Sequence, residues 1–327
     1  LRKKVLLNRR IPVECYRSYT DRFDFVYPEN EAGVFSPDEL KKHIKQCDAL
    51  VLTLGKCPRE IIEAAGDNLK AIANFGAGYD NIDVAYATER GIAVYNAPNA
   101  VTTATAELAV GLIFSALRRL PFYDHKVRTE QRCNQTFLDP QTMTLMGKTL
   151  GVIGLGRIGR SVVSMLRGME LNVLYHNTKP LPKELEEKYN ATYVPFDELL
   201  SRSDIVTLHV PLNDRTRRLI SYREFELMKN SAYLVNVARG AVVHEEALID
   251  ALANKKIMGA SIDVYEYEPV IAPQLLELDN VSLSPHMGTL SLDIRIRQVE
   301  EALSGIWAHF CGEKPYNLVN PDYAARR

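Results

Sequence analysis

Leu150-Gly151-Val152-Ile153-Gly154-Leu155-Gly156-Arg157-Ile158-Gly159 reads as an apolar strand, a glycine-rich turn and the opening of a helix. That order decides the fold, because the three glycines do different work. Gly154 permits the tight turn, Gly156 leaves room for backbone to approach a pyrophosphate, and Gly159 allows close helix packing. The helix start offers unpaired N–H groups to phosphate oxygens. Ile158, Val162, Met165, Leu166 and Met169 follow at helical spacing and predict one apolar face. A dinucleotide fits this strand–turn–helix, and the spacing predicts a βαβ unit around it.

Reading downstream, further strands are predicted at Leu171–Tyr175, Ile205–Val210, Ala232–Val237, Ile257–Val264 and Val281–Leu283, separated by helical stretches. This is the doubly wound pattern of an α/β domain. Ser221 with Glu224 three positions on forms a capping box, and Glu245 to Ala253 is a plain amphipathic helix. Upstream, apolar runs at Val5–Leu7, Ala49–Leu54, Leu69–Phe75 and Ile92–Tyr95 alternate with helical patterns at Asp38–Cys47 and Arg59–Ala65, which predicts a second, smaller α/β domain. Phe23, Phe25 and Tyr27 are strand or core positions. Thr102 to Leu120 is apolar around nearly its whole circumference and reads as a long interdomain helix that needs cover on several sides. A polar loop, Thr129 to Lys148, follows it, and a last helix is expected over Leu292–Phe310.

Composition narrows the class. Of 327 residues, 46% are hydrophobic and 25% charged, ordinary for a globular protein of two domains. A net charge of −1 gives no broad electrostatic footprint for nucleic acid or membrane, so the expected partner is a small molecule. Five cysteines without a CxxC pair predict neither a disulfide framework nor a zinc site, and no metal is expected; a cytoplasmic setting is. The apolar run within Leu1–Arg10 is too short for a signal peptide, and Glu107, Arg118 and Arg119 argue against a membrane span at 101–120. The basic residues Arg2, Lys3, Lys4, Arg9 and Arg10 read as a solvated edge.

About twenty residues beyond the turn, NAD-specific folds place a carboxylate for the ribose hydroxyls. Here the chain runs Tyr175-His176-Asn177-Thr178-Lys179, with no carboxylate and with a cation. This favours NADP(H) over NAD(H), although Asn177 and Thr178 also suit a simple turn and Lys179 a solvated one. Three further residues follow predicted strands: Arg239, Glu268 in Tyr265-Glu266-Tyr267-Glu268-Pro269, and His286 in Ser284-Pro285-His286-Met287-Gly288. Each alone suits an ion pair, a turn or a loop. An acid, a base and a guanidinium at successive strand ends suit catalysis. His209 reads equally well as a core histidine and is left out of the catalytic set.

From Gly76 to His286 the sequence resembles the D-isomer-specific 2-hydroxyacid dehydrogenases. The motifs are Gly76-Ala77-Gly78-Tyr79-Asp80-Asn81-Ile82-Asp83, Ala104-Thr105-Ala106-Glu107, the glycine turn, His209-Val210-Pro211-Leu212 and the three strand-end segments. The chain looks most like the glyoxylate and hydroxypyruvate reductase branch. The resemblance implies two Rossmann-like doubly wound domains: a discontinuous substrate domain, residues 1–98 and 292–327, and an inserted nucleotide-binding domain, residues 99–291. It implies a homodimer built on the 102–120 helix. It assigns Arg239, Glu268 and His286 as the catalytic trio. Cofactor contacts are implied at Thr105, Gly154, Gly156, Arg157, Ile158, Gly159, Asn177, Thr178, Lys179, Val210, Pro211, Val237, Asp263 and Gly288, and substrate contacts at Ala77, Gly78, Arg239 and His286.

The chemistry gives each of the trio a reason. Reducing a 2-keto acid needs a proton at the carbonyl oxygen, which a histidine near its pKa can deliver. A carboxylate on its other ring nitrogen fixes the tautomer and favours the imidazolium. A guanidinium can grip the substrate carboxylate with a planar fork. The expected activity is NADPH-dependent reduction of a small 2-keto acid to the D-2-hydroxy acid. The alternatives are a dinucleotide-sensing, corepressor-like interaction protein on the same fold, and a dehydrogenase for another substrate such as a sugar acid or 3-phosphoglycerate.

Overall fold

Runs such as Ala49-Leu50-Val51-Leu52 are buried along their whole length, so the strands they form must be covered on both faces, the situation of a parallel sheet. The computed structural model describes residues 2–133, 135–140 and 142–326. Leu1, Asn134, Gln141 and Arg327, which the readings of the N-terminal stretch, the 129–148 loop and the tail include, lie outside the described residues. The chain divides into two compact units, Leu1–Val101 with Thr289–Arg327, and Thr102–Gly288. The sequence reading set its divisions after residue 98 and before residue 292.

In the first unit, β1 (Lys3–Leu7), β2 (Phe23–Val26), β3 (Ala49–Leu52), β4 (Ala71–Asn74) and β5 (Ala93–Tyr95) form a parallel sheet in the order β2-β1-β3-β4-β5. Leu52 pairs with Asn74 and Ala73 with Tyr95, so the loops after β3, β4 and β5 leave along one edge. The helix Leu292–Phe310 returns the C-terminal end of the chain to this unit. Its Val299, Ala302, Leu303 and Ile306 are fully buried against Val5, Leu7, Val51 and Ala73. Burial of the larger of these side chains stabilises by roughly 1.5–3 kcal/mol each. Gly305 lets the helix approach, since a Cβ there would stand 3.0 Å from the Tyr95 ring.

In the second unit, β6 (Thr149–Ile153), β7 (Asn172–His176), β8 (Ala191–Tyr193), β9 (Ile205–Leu208), β10 (Tyr233–Asn236), β11 (Gly259–Ile262) and β12 (Val281–Leu283) form a seven-stranded parallel sheet, order β12-β11-β10-β9-β6-β7-β8. The chain winds outward from β6 to β8, then returns to β9 on the other side of β6, which is the doubly wound topology expected. Register matters most here. Ile153 pairs with His176 and Leu208, Leu208 with Asn236, Asn236 with Ile262, and Ile262 with Leu283. Six strands therefore end in one row, and everything that follows them emerges on one edge. Alternate side chains feed two cores on opposite faces: Leu234 and Leu208 on one, Tyr233 and Val235 on the other.

The structure departs from the sequence reading in several places. The helix expected over Thr102–Leu120 ends at Arg118, because Arg119 takes a left-handed conformation, φ 49°, and a second helix, Leu120–Glu130, begins with Pro121 in its first turn. Part of the expected polar loop is therefore helix. The cover that the apolar 102–118 helix requires comes from β10, β11, β12 and the Arg157–Met165 helix, within its own unit. Met165, assigned to the apolar face of that last helix, is 40% exposed, and Val163 is buried in its stead. The short strand β8 was not expected, since Ala191-Thr192-Tyr193 carries little periodicity. The strands at Ile205, Ala232 and Ile257 stop earlier than their apolar runs, which continue into the loops of the edge.

Candidate active site

The turn after β6 is built as its glycines dictate. Gly154 has φ 96°, and a Cβ on it would lie 2.9 Å from the His209 carbonyl; a Cβ on Gly159 would lie 2.7 Å from the Gly154 carbonyl oxygen. Gly156 is exposed, with nothing within 4 Å of the place a Cβ would take. It caps the helix Arg157–Met165 without any side-chain cap, leaving that helix start to an external acceptor. An open glycine cradle at an uncapped helix start fits a dinucleotide pyrophosphate. Arg157 is exposed and Ile158 half-buried.

At the end of β7, Asn177 Oδ1 accepts the Leu155 N–H at 2.7 Å, and the His176 carbonyl accepts the Gly154 N–H at 3.0 Å. Asn177 thus braces the glycine turn, a duty the sequence did not reveal. Thr178 and Lys179 stand exposed beside it. After β9, Val210 packs its Cγ1 over Gly154, Pro211 is exposed, and Val237 after β10 is buried. His209 bonds Thr207 Oγ1 through Nε2 at 2.9 Å, while Nδ1 is buried without a partner. Burial pushes its pKa down to about 3, so it stays neutral and donates no proton near pH 7.

The trio comes together on the same edge. Arg239 follows β10, held by Asn236, whose Nδ2 donates to the Arg239 carbonyl at 3.0 Å, and its Nη1 donates to the Ala238 carbonyl at 3.0 Å. Gly240 packs so tightly on the Tyr265 backbone that a Cβ would fall 1.9 Å from its carbonyl carbon, which sets the 265–268 turn beside Arg239. Glu268 Oε1 accepts the Tyr265 N–H at 2.9 Å, and Oε2 accepts from His286 Nδ1 at 2.9 Å. Burial raises the Glu268 carboxyl, but the His286 hydrogen bond, the Tyr265 N–H and the charges of His286 and Arg239 outweigh it and hold the pKa below the usual range. The Glu268 hydrogen bond raises the His286 pKa; burial and Arg239 oppose it, and the Glu268 and Asp263 charges assist.

His286 adopts φ 54°, an uncommon conformation for a non-glycine residue, and the loop that imposes it is bound to Asp263. Asp263 is 2% exposed; its carbonyl accepts the His286 N–H at 2.8 Å, and its carboxylate accepts from Met287 N at 2.8 Å, Gly288 N at 3.0 Å and Ser284 Oγ at 2.6 Å. Thr105 and Asp263 both line the space beside Gly288. Ala77 and Gly78 belong to the first unit, on the loop after β4. Sequence reasoning also missed a clamp on the 265–268 turn: Glu245 and Glu266 each accept the other's backbone N–H, at 3.1 and 3.0 Å, and Arg218 pairs with Glu266 at 2.7 Å. Arg218 and Glu245 lie outside the quoted motifs, and no spacing ties them to Glu266. Among the described residues, no three His, Cys, Asp or Glu side chains are grouped to hold a metal, and no helix is long and apolar enough to cross a membrane.

Residues 110–288 match the family described as D-isomer specific 2-hydroxyacid dehydrogenase, NAD binding domain. The chain belongs to this family. It is therefore an oxidoreductase of the D-2-hydroxyacid dehydrogenase class with an NAD-binding Rossmann domain. A Staphylococcus aureus (strain MRSA252) protein bearing the 2-hydroxyacid dehydrogenase name is 38% identical over 97% of this chain and 100% of its own. Among solved structures, a glyoxylate reductase from Paecilomyes thermophila matches with TM-score 0.87 and 33% identity over 97% of this dehydrogenase and 98% of that chain. The NADPH-dependent glyoxylate/hydroxypyruvate reductase of Sinorhizobium meliloti, solved with NADP and malonate, matches with TM-score 0.85 and 29% identity over 100% and 99%.

Proposed function

We propose that this dehydrogenase reduces a small 2-keto acid of the glyoxylate or hydroxypyruvate type to the D-2-hydroxy acid, preferring NADP(H) and accepting NAD(H). The observation that carries this is the His286–Glu268 hydrogen bond, 2.9 Å, on the same sheet edge as Arg239 and the glycine turn. With Nδ1 engaged by Glu268, Nε2 is the nitrogen that delivers a proton to the carbonyl oxygen. Glu268 stabilises the imidazolium before transfer. Arg239 grips the substrate carboxylate and polarises the carbonyl, while the Ala77 and Gly78 N–H groups donate to a carboxylate oxygen. The reduced nicotinamide, when bound, supplies the hydride for the carbonyl carbon.

Gly154 to Gly159, with Arg157 and Ile158, would hold the pyrophosphate, and Thr105, Val210, Pro211, Val237, Asp263 and Gly288 would contact the remainder of the cofactor. Thr178 and Lys179 favour a 2′-phosphate, and a relative solved with NADP supports that preference. We place the protein in the cytoplasm as a homodimer through the Thr102–Arg118 helix, on which Gly111 is exposed with open space around it. Loss of NADPH absorbance on adding glyoxylate or hydroxypyruvate, faster than with NADH, is the expected result. A preference for NADH would end the cofactor proposal. Failure of a whole panel of 2-keto acids in protein that binds NADPH would favour a sensing role over catalysis.

A further inference from the structure

The loop after β4 has its carbonyls occupied and its N–H groups open. Gln298 Nε2 donates to the Phe75 carbonyl at 3.0 Å, Asn74 Nδ2 to those of Gly76 at 3.4 Å and of Gly78, and Asn96 Nδ2 to that of Ala77 at 2.7 Å. The Ala97 N–H adds a bond to the Gly76 carbonyl at 3.1 Å. Among the described residues, no acceptor takes the N–H of Gly76, Ala77 or Gly78. Carbonyls only accept, so the amide nitrogens of these side chains must face the loop. Asn74 Oδ1 is then left to accept from Asn81 Nδ2 at 3.1 Å, and Asn81 also donates to the Gly55 carbonyl at 2.9 Å, tying in the loop after β3. Asn74 is 5% exposed and Gln298 1% exposed.

A trans peptide carries its C=O and the next residue's N–H in opposite directions in one plane. Holding the carbonyls of residues 75, 76 and 77 on these amides therefore turns the N–H groups of Gly76, Ala77 and Gly78 each away from the side chain that holds its peptide. Each of those three carbonyls is held by a different side-chain amide. We propose that Asn74, Asn96 and Gln298 are positioning residues that preset this row of N–H donors for an oxyanion, so that affinity for the substrate carboxylate depends on amides that never touch it. Preset donors bind more tightly because they need no reordering when the anion arrives. This rests on the reading of Ala77 and Gly78 as substrate contacts.

Oxamate, a 2-keto acid analogue that is not reduced, separates binding from turnover. Asn74→Asp keeps side-chain size and the acceptor for Asn81 but replaces the donor; Asn96→Ala removes one bond at a half-buried position. In each, calorimetric affinity for oxamate on the NADPH-saturated full chain, and KM for glyoxylate, should worsen by several-fold to about tenfold, the size of one net hydrogen bond. The NADPH dissociation constant should stay within about twofold, since a fault confined to the first unit leaves the glycine turn intact. Folded variants with wild-type NADPH and oxamate affinities would overturn the inference alone. If Asn74→Asp does not fold, Asn96→Ala decides. A wild-type chain that binds NADPH but no oxamate would overturn the substrate-contact reading and this inference with it.

Discussion

His286 Nδ1 and Glu268 Oε2 stand 2.9 Å apart, with His286 fixed at φ 54° by a loop bound to Asp263. The pair joins the segments that follow two strand ends, β11 and β12, that leave the sheet in register. Its electrostatics have a definite sign. Glu268 raises the His286 pKa, chiefly through the hydrogen bond, and His286 helps to lower that of Glu268.

With His286 as the proposed proton donor, kcat for keto-acid reduction should be full below its raised pKa and fall as pH rises through it. Glu268→Gln removes the carboxylate that raises it. The falling limb should move to lower pH, and kcat should drop by about 10- to 100-fold, within the span of acid–base contributions. A pH–rate profile checks this; an unmoved limb would detach Glu268 from the acid.

Arg239→Lys keeps the charge and loses the planar fork. Charged hydrogen bonds contribute about 1.5–3 kcal/mol, so kcat/KM should fall roughly 10- to 150-fold, with KM for the keto acid raised. Steady-state kinetics at saturating NADPH provide the measurement. A variant within a factor of two of wild type would remove Arg239 from the substrate clamp.

Asn177 and Lys179 are neighbours with separable effects. Asn177→Ala deprives the Leu155 N–H of its 2.7 Å acceptor, loosening the turn for any dinucleotide, so NADPH and NADH should both bind several-fold more weakly, as for about 1 kcal/mol. Lys179→Ala should weaken NADPH alone. Fluorescence titration with both nucleotides distinguishes them, and equal losses in Lys179→Ala would contradict the 2′-phosphate assignment.

Both sheets were legible in the sequence because parallel strands are buried on both faces and announce themselves as continuous apolar runs. The glycine turn was legible because each glycine answers a steric demand that the structure repeats at Gly154 and Gly159. Arg239, Glu268 and His286 could be singled out because they follow predicted strands, and the structure sets those strand ends on one edge. The amides of Asn74, Asn96 and Gln298 and the Glu245–Glu266 clamp could not be found in this way. Their partners are backbone groups, 223 positions away for Gln298, and backbone carries no sequence signal. The break at Arg119 was hidden for a related reason, since its left-handed backbone lies at a residue with no glycine to mark it.

The central claim is that His286 gives the proton. Single-turnover reduction of glyoxylate by NADPH-loaded His286→Ala measures it most directly. The predicted result is a chemical step slower by about 10²- to 10⁴-fold with the NADPH dissociation constant nearly unchanged. A variant that binds NADPH normally and reduces glyoxylate at the wild-type rate would contradict it.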